Sequence, residues 1–145
     1  MEITYEVATK AINNAHASGR PDEEPYSVTV LDSGRNLLAF ARFDGALLAS
    51  IECSRGKAYA AVSLGTPSDA LSPLIQPGQP LYGLETSHEK PLVMFKGGIP
   101  VKVNGKLLGA VGVAGGPLEQ DERIAMAIAE DIANHVADRQ DDRGR

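Results

Sequence analysis

The chain predicts an α+β domain: a central antiparallel β-sheet of about five strands flanked by α-helices. Three observations carry this. Two pairs of β-rich runs flank polar or glycine-containing turns, SVTVLD and LLAFARF around Asp32 to Asn36, and IPVKV and KLLGAVGV around Asn104 and Gly105. Three other stretches repeat apolar residues at helical spacing. Strands joined by tight turns pair antiparallel, and the regular strand–helix alternation of a parallel fold is missing.

From Glu2 to Ala17, Ile3, Val7, Ala8, Ala11, Ile12 and Ala15 share one helical stripe, and Gly19 offers its stop. The acidic loop RPDEEP then leads into the first hairpin, residues 27–32 and 37–43. A second helix is expected over 46–64, with Leu47, Leu48, Ile51, Ala58, Ala61 and Val62 mostly on one face and Gly65 closing it. Thr66, Pro67, Ser68 and Asp69 read as a cap, a first-turn proline and an acidic third residue, so a short helix should follow. Residues 72–91 are broken by Pro and Gly and read as an ordered flap with short helical turns. LVMFK, residues 92–96, is expected as a strand, Gly97 and Gly98 as its break or bulge, and IPVKV, residues 99–103, as its continuation. Asn104-Gly105 is the strongest hairpin signal, because both central residues of a type I′ turn need positive φ. After the partner strand 106–113, a last helix over 117–137 places Ile124, Ile128, Ile132 and Val136 at every fourth position. Residues 1–137 thus form one domain, and DRQDDRGR, residues 138–145, is expected as a disordered polar tail.

Composition narrows the function classes. At 145 residues and 43% hydrophobic content, the chain can bury a core without disulfides or metal. A net charge of −5 with dispersed Lys and Arg argues against nucleic acid as partner. The amino terminus, MEITYEVATK, lacks the basic start and apolar core of a signal peptide, and Cys53 is the single cysteine, so a cytoplasmic location is expected. No stretch approaches the roughly 20 apolar residues of a membrane span.

Residues 109–116, GAVGVAGG, raise the question of a phosphate cradle. A dinucleotide fingerprint sits in an early βαβ unit, whereas this run ends a late hairpin. Gly109 and Gly112 therefore read as points where another backbone or a ligand approaches the strand, and Gly115 and Gly116 as the turn into the last helix. The free amides at that helix start could receive a carboxylate. No nucleophile elbow or chelating histidine pair is present, and Cys53 reads as a small buried thiol. His135 reads as a surface residue of the last helix and His16 as the end of the first, while His88 in the flap is the histidine expected to face a pocket. Met94 could ligate an iron but reads as core. Arg42 and Asp44 lead out of LLAFARF, and Arg55 and Lys57 lie on the following helix. They form either a cationic lining for an organic acid or a surface ion-pair network.

VTVLDSGRNLLAFARFDGA, RGKAYAA, FKGGIPVKVNGKLLGAVGVAGG and EQDERIA together resemble the GlcG/HbpS family, the haem-binding or haem-degrading HbpS-like proteins, over about residues 1 to 137. The resemblance implies a profilin-like fold and a homo-oligomer. It also implies a small-ligand-binding protein that takes or degrades haem or a related tetrapyrrole, the one cofactor expected. On that reading Arg42, Arg55 or Lys57 receives propionates, the Gly97, Gly98, Gly115 and Gly116 backbones shape the pocket, and His88 or His16 is the axial candidate. The chain reads Ala114 where many members have serine and Arg35 where many have a second glycine. The alternative is an enzyme or accessory protein of organic-acid or aromatic-compound catabolism. There Arg42 or Lys57 holds a substrate carboxylate and Asp44, Glu52 or Asp121 moves a proton.

Overall fold

A computed structural model describes residues 1–145. Three helices, α1 (Tyr5–Ala17), α2 (Ala49–Leu64) and α3 (Leu118–Arg143), surround four strands, β1 (Ser27–Asp32), β2 (Leu37–Arg42), β3 (Gly98–Val103) and β4 (Lys106–Ala114). The sheet runs β2-β1-β4-β3 with every neighbouring pair antiparallel. Helix α2 covers one face, while α1 and α3 pack on the other. No helix is long and apolar enough to cross a membrane.

Local chemistry sets most boundaries. Thr4 caps α1, its Oγ1 accepting from Val7 N at 3.2 Å, and Gly65 closes α2 in the left-handed region. Asn104 and Gly105 take φ of 52° and 78°, the two positive values of a type I′ turn. Alternation then sorts β1. Val28 and Val30 enter the larger core with Ile124, Ile128 and Ile132 of α3, while Leu31 joins the smaller core under α2. Full burial of such side chains is worth about 1.5–3 kcal/mol each.

The sheet has four strands, not about five, because LVMFK does not join it. Leu92 and Met94 are buried and Phe95 exposed, the alternation of a strand, but the segment lies across α2. Val93 N donates to Gly56 O (3.2 Å) and Leu92 N to Glu85 O (3.0 Å), so its backbone is committed to α2 and the flap. Gly56 has no Cβ because Val93 fills that space. The short helix expected after Thr66 is also absent. Ser68 is spent instead on β3, its N donating to Gly98 O (2.9 Å) and its Oγ accepting from Gly98 N (2.8 Å). The flap itself contains 3₁₀ turns at Ser72–Leu74 and Leu84–Thr86.

Helix α2 starts at Ala49, and Leu47 and Leu48 are exposed rather than inward. Its sheet-facing row is Ser50, Ser54 and Lys57, all buried. At the other end, α3 continues to Arg143, so most of the expected disordered tail, 138–145, is helical. The tail's Asp, Arg and Gln favour or tolerate helix, and Arg139 reaches Glu6 of α1 at 3.7 Å.

Candidate functional site

The strand–helix interface beneath α2 is polar. Ser27 Oγ meets Ser50 Oγ at 2.8 Å and Thr29 Oγ1 meets Ser54 Oγ at 2.8 Å. Each helical serine also donates to the carbonyl three residues back, Ser50 to Leu47 and Ser54 to Ile51, so the strand hydroxyls are the donors across the seam. Close approach makes this possible. A Cβ on Gly112 would collide with Ser54 O, and one on Gly109 with Leu31 O, which is the backbone contact the glycine spacing in β4 implies.

One helical turn further, Lys57 points into the protein. Its Nζ donates to Val113 O (2.9 Å) and to Asp121 Oδ2 (3.1 Å), and Asp121 Oδ1 accepts from Gly116 N (3.1 Å). Burial pushes the Asp121 carboxyl above its ordinary range, opposed by the Lys57 charge and hydrogen bond and by the Gly116 N–H. Gly97 and Gly98 pack on Lys57, Gly115 on the Pro25 and Tyr26 backbone, and Gly116 on Gln120 and Asp121. Lys57 and Asp121 are therefore a closed structural pair, with no free charge for propionate or substrate. The amide offered by Gly116 at the start of α3 is taken by Asp121 instead of an external carboxylate.

Of the remaining candidates, all but His88 fall into two clefts that share no residue. The first, about 350 Å³, collects His16 from the end of α1, Arg20 from the loop after it, Tyr26 just before β1, Arg42 at the end of β2, and Phe43 and Asp44 just after it. The His16 ring stacks on Phe43 at 3.7 Å and 4° between planes, and Tyr26 meets Phe43 edge-on at 5.0 Å. His88 bonds Ser87 Oγ through Nδ1, and His135 bonds Asp131. The exposed His16 ring has no such partner, and neither Arg20 nor Arg42 joins an ion pair. The Tyr26 hydroxyl is buried and has no hydrogen-bond partner. Desolvation, reinforced by Glu23 and opposed by Arg123, pushes its pKa up to about 12. The loop between α1 and β1 is held by α3. Gln120 brackets Glu24 with bonds to its N (3.0 Å) and O (2.9 Å), and Arg123 pairs with Glu23 at 3.1 Å.

The second cleft, about 450 Å³, lies between α2 and residues 90–93 and includes Glu52, Cys53, Arg55, Tyr59 and Lys90. His88, the histidine the sequence favours for a pocket, packs edge-on against Tyr59 at 6.2 Å between ring centroids. It is not in the wall of either cleft. Arg42, Arg55 and Lys57 do not form one cationic lining, because helical rotation sends Arg55 outward and Lys57 inward, and Arg42 lies at the other cleft. Gly97, Gly98 and Gly116 pack around the ion pair, Gly115 packs on the Pro25 and Tyr26 backbone, and none of the four lines either cleft. Sequence reading passed over Tyr26, Phe43, Arg20 and Tyr59. The aromatic residues flanking the first hairpin, Tyr26 and Phe43, were the available signal.

Residues 3–130 match the sequence family described as Haem degrading protein HbpS-like. An uncharacterised 15.0 kDa protein from the dhaT–dhaS intergenic region of Citrobacter freundii is 39% identical over 123 residues, spanning 85% of this chain and 87% of that one. The corrinoid adenosyltransferase PduO of Salmonella typhimurium strain LT2 is 40% identical over 106 residues, which are 72% of this chain but 32% of PduO. The solved complex of PduOC with haem superposes with a TM-score of 0.83 at 30% identity, covering 90% of this chain and 95% of PduOC. Sequence and backbone therefore agree, and the chain belongs to the HbpS-like family.

Proposed function

We propose that the protein binds haem or a related tetrapyrrole in the cleft formed by His16, Arg20, Tyr26, Arg42 and Phe43. The observation that carries this is the unpartnered His16 imidazole beside two unpaired guanidinium groups. The donor set fits the group. His16 is the axial candidate, Arg42 and Arg20 are suited to propionates, and Phe43 and Tyr26 supply aromatic surface. Tyr26 also brings a buried hydroxyl that lacks a partner within the chain. Asp44 lines the same cleft. Bound haem would supply the redox chemistry of its iron, and the protein supplies position and charge. The solved haem complex of PduOC supports the ligand class.

Haemin titration followed at the Soret band tests the reading. A saturable, shifted band is expected, with an altered position in His16→Ala and at least a tenfold weaker affinity in Arg42→Ala. An unchanged spectrum in His16→Ala rules out the axial role.

The reading includes a profilin-like scaffold and a homo-oligomer. Support for assembly comes from Leu37 and Phe40, exposed on the edge strand β2, since free sheet edges invite pairing. Light scattering of the purified protein is expected to give more than one protomer mass, and a strictly monomeric mass sinks this part.

A further inference from the structure

We infer that the cleft between α2 and residues 90–93 is a second ligand site, for a small carboxylic acid with an apolar body about one ring in size. It lies on the α2 face of the sheet, shares no wall with the His16 cleft, and does not depend on haem binding there. Its volume, about 450 Å³, falls within the range of small-molecule pockets.

The chemistry of the walls selects the ligand. Pro91, Val93 and Tyr59 provide the apolar part of the wall. Arg55 and Lys90 stand at the rim, are exposed, and join no ion pair. Two like charges held around one small cleft favour an anion between them. Glu52 also lines the cleft, so the rim carries one net positive charge, matched to one carboxylate. Its carboxylate further disfavours a dianion, which would meet it at close range.

Tyr59 in the wall is held in place by Arg35. The residue is 6% exposed, and its hydroxyl accepts from Arg35 Nη1 at 2.9 Å, while the Arg35 guanidinium carbon lies 4.8 Å from the ring centroid. The wall is also preformed. Val93 fits into the space left by Gly56, and Val93 N bonds Gly56 O, fixing the segment to the helix before any ligand arrives.

Isothermal titration of the whole chain with benzoate and with phenylacetate, using benzyl alcohol as the uncharged control, tests the assignment. Saturable binding of at least one acid is expected, at least tenfold tighter than benzyl alcohol. It should weaken at least tenfold in the double variant Arg55→Gln/Lys90→Gln and persist in Arg42→Gln of the other cleft. Both replaced side chains are exposed, so the double variant should keep the wild-type circular dichroism. Failure of both acids to bind saturably overturns the inference. So does unchanged binding in the double variant, or loss of binding in Arg42→Gln.

Discussion

Lys57 Nζ lies 3.1 Å from Asp121 Oδ2, and each of the two side chains is only 2% exposed. The pair joins the middle of α2 to the first turn of α3 across the end of β4, where Lys57 also holds Val113 O and Asp121 holds Gly116 N. It fixes the double-glycine turn, and Gly115 in that turn backs the Tyr26 backbone at the first cleft.

Removing one partner leaves the other charge buried, at a cost of about 3–5 kcal/mol. Lys57→Met and Asp121→Leu should each lose that much in urea unfolding. The double variant should lose clearly less than the sum, because no orphan charge remains. Additive losses would show that the two side chains act separately.

Gly112 faces Ser54 O and Ala58 N with no room for a methyl group. Gly112→Ala should therefore destabilise by roughly 2–3 kcal/mol or more, since the obstacle is helix backbone and cannot rotate away. Gly78→Ala offers a comparison, having nothing within 4 Å of its Cβ position but a φ of 83°. Its loss should be limited to backbone strain of about 1–2 kcal/mol. Equal losses at the two positions would remove the packing explanation.

The legible parts of the fold were those encoded by local chemistry. Asn104-Gly105 declared its turn, and Gly109 and Gly112 declared close contact, because few other residues suit those positions. LVMFK misled because burial alternates for any extended segment lying on a surface, and only hydrogen bonding distinguishes a sheet strand from one laid across a helix. Lys57 misled for a different reason. A charged residue on a helix reads as solvent-facing, yet Ser50, Ser54 and Lys57 repeat at helical spacing along the buried face. That row of polar residues was the signal for a hydrogen-bonded interface, and Asp121, 64 positions away, could be paired with it only by the fold. The first cleft was half legible. Arg42, Asp44 and His16 were named, but nothing local brings the end of α1 beside the end of β2.

Arg35 sits at φ 68°, a conformation that glycine accepts without strain, and repays it through Tyr59. Arg35→Ala keeps the strain and loses the contact, whereas Arg35→Gly loses both. Arg35→Gly should thus be more stable than Arg35→Ala by about 1 kcal/mol in urea unfolding. The reverse order would mean that the turn carries no backbone strain.

Tyr26 makes stability depend on alkaline pH. The folded phenol keeps its proton to about pH 12 against an ordinary value of 10.0, chiefly because burial disfavours the phenolate. Between these values the folded state holds more protons than the unfolded one, so raising the pH favours unfolding. The contribution is intact below pH 10 and declines by on the order of 1–3 kcal/mol by pH 12. Tyr26→Phe removes this titration along with a hydroxyl that has no partner, so it should be near neutral or stabilising at pH 7. Its stability should then fall less steeply than that of the wild type from pH 10 upward. Urea midpoints for both proteins at pH 8, 10 and 11.5 check the comparison, and parallel decline would detach the alkaline transition from Tyr26.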